Sequence, residues 1–320
     1  MLVRLGSAGC VRRWLPSWRK EAVAENWKAP GMRSENAIDL HTHTLVSDGA
    51  DTPLELVEAA AKAGIEVLAV TDHDTVDGVR PAREAAHGLG VEVLAGCEIT
   101  GEVAGRVIHL LAYGDGLLRA GAIDRVIAVR LDRAERNQRI GQELEELTGV
   151  GYAAAVELAG GAALSRAHFA RALVRAGIVA DVAEAFDRYL SNGRPAYVPA
   201  PSIAIDDVVR LVHLVGGVVV LAHPGRLAPA ERERVVDRAI AAGIDGLEVW
   251  HSQHDLEAQR HWLAKAERHG LLATGGSDYH GRHKPNIHLA TGGDGNVEVP
   301  VRALHDLTQR LTATAELTAI

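Results

Sequence analysis

The sequence predicts an α/β fold, a barrel of seven strand–helix units, and three observations support this prediction. Short apolar segments alternate with amphipathic helical segments over most of the 320 residues. Continuously apolar strands indicate a parallel sheet covered by helices on both faces. The chain is 47% hydrophobic and 24% charged, as in soluble globular proteins. Seven units in series suggest a barrel one unit short of the common eightfold form.

The individual elements follow from apolar runs and capping signals. Strands are predicted at 38–40, 65–70, 91–95, 107–112, 218–222, 246–250 and 271–274. Thr52-Pro53-Leu54-Glu55 combines an N-cap, a proline at the first helical position and a capping glutamate, so a helix is predicted from there to Gly64. The other helices of the alternation are predicted at 76–87, 205–215, 229–242 and 256–269.

The alternation is interrupted once, which suggests a division of the chain into four parts. Residues 117–190 are predicted to be almost entirely helical, so a helical insertion (117–195) between strands four and five is expected to cap the substrate site. The barrel then occupies 37–116 and 196–320, the latter ending in a C-terminal helix. Residues 1–36, which hold three of the five tryptophans, are expected to be a disordered tail or an over-extended start. A membrane-surface or partner-binding amphipathic helix is the alternative.

Charge and cysteine content restrict the partners and the compartment. The net charge of -8 argues against binding duplex DNA through bulk electrostatics. Two cysteines are too few for a disulfide framework and fit a reducing cytoplasm. No apolar run approaches the roughly 20 residues that span a bilayer, so no membrane association is expected.

Every predicted strand carries or precedes a His, Asp or Glu, and the C-terminal ends of barrel strands meet at one rim. A lone buried histidine is usually a packed core residue, but seven such coincidences at one rim favour a site. Nitrogen and carboxylate donors suit Zn²⁺, Mn²⁺ or Fe²⁺. The candidate ligands are His41, His43, Asp48, His73, Glu98, His109, His223, Asp278 and His280. Nine donors are too many for one ion, so two or three divalent ions are predicted, with Mn²⁺ preferred over Zn²⁺ or Fe²⁺.

Six motifs also resemble a known family. DLHTHTLVSDG, TDHDT, GCEI, HLLAYG, AHPGR and GSDYHG, in this order over residues 38–281, are similar to the motifs of the polymerase and histidinol phosphatase (PHP) family. The resemblance implies a distorted (βα)7 TIM-like barrel with a di- or trinuclear metal centre that hydrolyses phosphate esters, and it places the family's ligands on the same nine positions. The layout is most similar to bacterial phosphoesterases with a helical insertion. These include nucleoside 3′,5′-bisphosphate phosphatases, 5′→3′ exoribonucleases and cyclic-phosphate hydrolases.

The expected activity is therefore metal-dependent hydrolysis of nucleotide phosphomonoesters or of short RNA ends, by a hydroxide that bridges the ions. Glu98 is expected to bridge two ions, Asp278 to orient the nucleophile while binding metal, and Asp72 to support the ligands from behind. The alternatives are a cyclic-phosphate or histidinol-phosphate type phosphatase, amide-bond hydrolysis, and a non-catalytic metal-stabilised module that docks a partner.

Substrate contacts are predicted at three further residues. Arg166 can clamp a phosphate with two N–H groups, and His168 can donate to the leaving oxygen; both match an Arg-x-His of the family. His254 resembles a histidine at the rim of the family's site. A surface arginine and a capping histidine are the alternatives for the first two.

Overall fold

The computed structural model describes residues 38–119, 121–122, 124–160, 164–199 and 202–317. The expectation for residues 1–36 lies outside these ranges. None of the helices within them has both the length and the apolar character that crossing a bilayer requires.

The core of the fold is one curved sheet that is nearly closed into a barrel. Its strands are β1 (Ile38–Thr42), β2 (Val67–Val70), β3 (Glu92–Val103), β4 (Arg106–Tyr113), β5 (Ile203–Ala204), β6 (Val218–Leu221), β7 (Gly246–His251) and β8 (Leu272–Gly276). The order is β1-β2-β3-β4-β6-β7-β8, and the two-residue β5 pairs with β3. The Asp278 N–H donates to the His41 carbonyl at 2.9 Å, which joins the segment after β8 to β1. The predicted barrel is confirmed.

The prediction of an entirely parallel sheet is wrong at β4. This strand runs antiparallel to both of its neighbours, β3 and β6. The cause is a two-residue turn between β3 and β4, in which Ala104 and Gly105 have φ values of 53° and 74°, the conformation that tight hairpins require. Strand β3 also continues to Val103, eight residues beyond its predicted end. The start of β4 therefore lies at the same rim as the C-terminal ends of the parallel strands.

Ten α-helices surround the sheet or follow it within the described ranges. They are α1 (Pro53–Lys62), α2 (Val79–Ala85), α3 (Asp124–Thr148), α4 (Tyr152–Ala159), α5 (Arg166–Arg175), α6 (Val182–Ala185), α7 (Ile205–Leu214), α8 (Pro229–Ala241), α9 (Leu256–His269) and α10 (Val301–Leu317). The predicted capping box of α1 is present: Thr52 Oγ1 accepts the Glu55 N–H at 3.2 Å, and the Glu55 carboxylate accepts the Thr52 N–H at 2.8 Å.

The helical segment between β4 and β5 has a hydrophobic core of its own. Ile140, Leu144, Phe169 and Leu173 pack together there, away from the barrel core that contains Trp262. Ser165 caps α5, since its N–H donates to Nδ1 of His168 at 3.0 Å. That this segment covers a substrate stays a prediction.

Candidate metal centre

The carboxylate of Glu98, on β3, lies at the centre of a buried cluster of histidines. Only 1% of this side chain is exposed. Its oxygens lie 2.9–3.3 Å from ring nitrogens of five histidines: His109 and His223 on Oε1, and His41, His43 and His73 on Oε2. Two donors that each lie about 2.0–2.2 Å from the same ion are roughly 3 Å from each other, which is the separation seen between these nitrogens and the Glu98 oxygens. The cluster therefore has the spacing of a metal centre.

Two further carboxylates complete the cluster. Asp48 lies 3.3 Å from Nε2 of His280, 3.6 Å from Nδ1 of His43 and 3.7 Å from Nε2 of His73. Asp278 Oδ1 lies 3.4–3.7 Å from ring nitrogens of three histidines, His41, His43 and His280. The structure thus brings all nine predicted ligands together, and several histidines face two carboxylates.

The hydrogen bonding of the ring nitrogens indicates whether this cluster could bind metal ions. Buried polar atoms are nearly always hydrogen-bonded in folded proteins. Yet Nδ1 of His43, His73 and His109 is buried without a hydrogen bond of good geometry among the described residues, although it lies 2.9–3.6 Å from an oxygen of Glu98 or Asp48 in each case. Nε2 of His41 and Nε2 of His43 lie 3.1 Å apart, both within 3.3 Å of Glu98. Such convergence of imidazole nitrogens and carboxylates suits divalent ions.

The electrostatics set most of these groups in the protonation state that metal binding needs. Burial raises the pKa of Glu98, but His73, His109 and His41 hold it well below its ordinary value. Burial, together with His109 and Arg226, lowers the pKa of His223 to about 3, against the effect of Glu98. The centre thus contains the ionised carboxylate of Glu98 beside the neutral imidazole of His223.

His41 and His280 differ from the other histidines. Burial lowers the pKa of both, but nearby carboxylates raise it more: Glu248 and Glu98 for His41, and Asp48 and Asp278 for His280. Without metal these two imidazoles tend to hold a proton that metal binding must displace.

Backbone strain accompanies two of the candidate ligands. His223 and Asp278 have φ values of 29° and 58°, a region that costs non-glycine residues about 1–3 kcal/mol. The strain is supported locally, because the His223 N–H donates to Oε2 of Glu248 at 2.6 Å and the Asp278 N–H donates to the His41 carbonyl. The fold therefore holds these two side chains in the cluster at a conformational cost.

Two residues at the end of β7, Glu248 and His251, belong to the site although they were not predicted as site residues. Oε1 of Glu248 accepts from Nδ1 of His41 at 2.8 Å, and its side chain is fully buried. Nε2 of His251 is buried 3.4 Å from Oδ2 of Asp278. Their place at the end of a strand was the available signal, but sequence spacing does not separate a supporting side chain from a ligand.

Asp72 does not contact the cluster directly. Its carboxylate accepts from the Thr44 N–H at 2.8 Å, the Thr44 hydroxyl at 2.7 Å and the Ser47 hydroxyl at 2.6 Å. These bonds hold the loop that ends in Asp48. That Asp72 supports the metal ligands stays a prediction.

The predicted substrate contact at His254 does not agree with its surroundings. This side chain is fully buried. Its Nδ1–H donates to the Val249 carbonyl at 2.8 Å, and its Nε2 accepts the Gly225 N–H at 3.0 Å. With both nitrogens used, His254 positions the loop after His223 and has no atom left for a substrate.

Arg166 and His168 stand at the first turn of α5. The guanidinium of Arg166 donates to the Leu190 carbonyl at 3.3 Å and lies 5.7 Å from the centre of the Phe186 ring and 5.9 Å from that of Tyr197. Arg166 therefore contributes to packing within the helical segment.

His168 points toward the Asp48 side of the cluster. Its ring lies 6.0 Å from that of His283, whose Nδ1 donates to the Asp48 carbonyl at 3.0 Å. Burial, Arg171 and His283 lower the pKa of His168 to about 4, so the ring is neutral. Because Nδ1 accepts from Ser165, the proton is on Nε2, which is buried and has no partner among the described residues.

Known proteins are similar to this chain in sequence and in fold. The PHP domain model matches residues 39–192. A 3′,5′-nucleoside bisphosphate phosphatase of Chromobacterium violaceum is 35% identical over 76% of this chain and 87% of its own length. The 5′-3′ exoribonuclease Rnm of Escherichia coli is 35% identical over 76% of this chain and 84% of its own. The solved structure of a metal-dependent phosphoesterase from Bifidobacterium adolescentis superposes with a TM-score of 0.72 at 34% identity, covering 85% of this chain and 95% of that one.

The barrel, the cluster and these similarities define a metal-dependent hydrolase of phosphoester bonds. The chain belongs to the PHP family.

Proposed function

We propose that this protein removes phosphate from nucleotide phosphomonoesters, with nucleoside 3′,5′-bisphosphates as the preferred class. The observation that carries the proposal is the position of Glu98, whose two oxygens face five imidazoles at one rim of the barrel. Similarity to a bisphosphate phosphatase over most of both chains supports the substrate class.

The nine converging side chains would hold two or three ions in three overlapping groups. The groups are His41, His43 and Asp278; His43, Asp48, His73 and His280; and His73, Glu98 and His109, which His223 joins through Glu98. Bound ions would neutralise phosphoryl oxygens and supply an activated water. Mn²⁺ is the proposed ion, with Zn²⁺ or Fe²⁺ as alternatives, because all donors are nitrogen or oxygen.

The helical segment would supply the contacts to the substrate. The unpartnered Nε2–H of His168 is available to donate to the leaving oxygen. Arg166 would use its remaining N–H groups on a phosphate while its face stays packed on Phe186 and Tyr197.

The experiment measures phosphate release and metal content together. With Mn²⁺ present, we expect release of phosphate from a nucleoside 3′,5′-bisphosphate, and two or three ions per chain by elemental analysis. Glu98→Gln should lower turnover by about a thousandfold or more, since several kcal/mol of charge stabilisation depend on the ions it holds. Glu102→Gln, an exposed position on the same strand, is the matched control and should be unaffected.

Lack of turnover across nucleotides and short 5′-phosphorylated RNAs, in protein that holds its metal, would contradict the proposal. Metal-dependent folding without hydrolysis would then favour a non-catalytic module that docks a partner.

Short RNA ends are the second proposed substrate, because the chain is equally similar to an exoribonuclease. Duplex DNA is not proposed as a partner, given the net charge of -8, and neither is a membrane. A cytoplasmic location is proposed because Cys97 is buried as a free thiol.

A further inference from the structure

Two basic side chains from different loops approach the same oxygen of Asp278. Nζ of Lys284, after β8, lies 2.6 Å from Oδ2, and a guanidinium nitrogen of Arg226, after β6, lies 3.8 Å from it. Their side chains are 34% and 45% exposed, whereas Asp278 is 5% exposed. The two cations therefore stand between the buried cluster and solvent.

The carboxylate of Asp278 lies between these two cations and the candidate metal ligands. Its Oδ1 faces ring nitrogens of His41, His43 and His280 at 3.4–3.7 Å, while Oδ2 faces Lys284 and Arg226. An ammonium group has three donors and a guanidinium has five. Within the described part of the chain, Lys284 donates only to Asp278 and the Arg226 guanidinium makes no hydrogen bond. Both cations thus keep donors for a ligand.

Positive side chains this close to bound divalent ions would repel them. An anion that contacts both the ions and the two cations converts this repulsion into attraction, and a phosphoryl group has the charge and the several oxygens to do so. Arg166 and His168 lie elsewhere, since His168 faces the Asp48 side of the cluster.

We propose that Lys284 and Arg226 are catalytic residues that bind the oxygens of the phosphoryl group undergoing hydrolysis, beside Asp278. This inference rests on the proposed function only in taking a phosphoryl group as the ligand. The competing explanation is that the two cations merely neutralise Asp278.

The test measures binding of inorganic phosphate to the Mn²⁺-loaded protein by calorimetry, with metal content determined on the same samples. Lys284→Met and Arg226→Met should each weaken phosphate binding by about tenfold or more, because each removes a charge-assisted contact. Lys284→Arg, which keeps the positive charge, should retain much of the phosphate affinity that Lys284→Met loses. Arg282→Met, an exposed position in the same turn as Lys284, is the control and should bind phosphate normally.

Arg226→Met keeps the test decisive if Lys284→Met loses metal, since the 3.8 Å contact of Arg226 is too long to hold Asp278 in place. Unchanged phosphate affinity in Arg226→Met and Lys284→Met at equal metal content would overturn the inference, even if nucleotides are hydrolysed. Absence of nucleotide turnover with weakened phosphate binding in the variants would instead contradict only the proposed substrate class.

Discussion

The carboxylate of Glu248 lies 2.8 Å from Nδ1 of His41, on the side of the imidazole that faces away from Glu98. A carboxylate in this position fixes the tautomer, so that Nε2 presents its lone pair to a metal. The second oxygen of Glu248 holds the strained backbone of His223. One buried side chain thus positions two candidate ligands from different strands.

Glu248→Gln should weaken metal binding. The amide offers one acceptor where the carboxylate offers two, so either His41 or the His223 N–H loses its partner. We expect metal affinity to fall by about 10–100-fold, measured by competition with a chelator. Glu257→Gln, exposed at the start of α9, is the control. Equal affinities in the wild type and Glu248→Gln would contradict a positioning role for Glu248.

Metal loading should release protons. The pKa of His41 is raised well above its ordinary value and that of His280 is also raised, so both imidazoles tend to be protonated near neutral pH before an ion binds. The number released should fall as the pH rises through these two pKa values. Calorimetric titrations with Mn²⁺ in buffers of different ionisation enthalpy measure this number. A release of no protons at pH 6 would disagree with the prediction.

Asp72→Asn should loosen the loop that carries Asp48. The carboxylate accepts three hydrogen bonds from Thr44 and Ser47, and an amide nitrogen cannot accept. An unsatisfied buried donor costs about 1–3 kcal/mol, so the free energy of unfolding should fall by that amount in urea titrations. Metal content should fall at the same time, because Asp48 is displaced. Asp294→Asn, at an exposed position, should change neither quantity.

The substitution His168→Asn distinguishes the role of Nδ1 in capping α5 from the role of Nε2 as a donor to the substrate. The asparagine oxygen can still accept the Ser165 N–H and cap α5, but the donor at Nε2 is lost. If this donor binds substrate, kcat/KM for the bisphosphate should fall by about 10–100-fold, the loss expected for a hydrogen bond to a charged group. Metal content and the midpoint of thermal unfolding should stay unchanged. Wild-type kinetics in this variant would leave His168 with a capping role alone.

The pair of His213 and Asp245 should make stability depend on pH. Its hydrogen bond of 2.7 Å raises the pKa of His213. Although burial raises the pKa of Asp245, its bonds with His213 and the Val219 N–H lower it overall. The histidine contribution is complete below about pH 6.5 and is lost as the pH rises through the folded pKa, whereas the aspartate contribution is lost below about pH 4.

His213→Gln should therefore destabilise the protein more at pH 5.5 than at pH 9. Because 38% of His213 is exposed, the difference should stay below about 1 kcal/mol. Urea unfolding of both proteins at the two pH values measures it. An equal effect at both pH values would show that the ion pair contributes nothing.

The barrel and the convergence of nine candidate ligands could be predicted because apolar runs mark strands and polar residues at strand ends meet at one rim. The antiparallel direction of β4 could not be predicted in this way. Ala104-Gly105 lacks the asparagine or aspartate that usually marks a two-residue hairpin, so β4 was predicted to be another parallel strand.

The roles of Glu248 and His254 could not be predicted from the sequence either. Both follow or lie in a strand at the rim, as the ligands do, and only their hydrogen bonds show that one supports His41 and the other supports a loop. Such distinctions depend on which atoms a side chain has left after packing, and spacing along the chain carries no information about this.

The turn at Ala104-Gly105 makes the centre sensitive to insertions at a distance from any ligand. Thr100 is paired with His109 across this hairpin, which sets His109 on the same face as Glu98. A single inserted codon that shifts the pairing by one position would turn every side chain of β4 to the opposite face. Leu110 would then point at the carboxylate of Glu98, and His109 would be buried in the hydrocarbon layer beneath the helices.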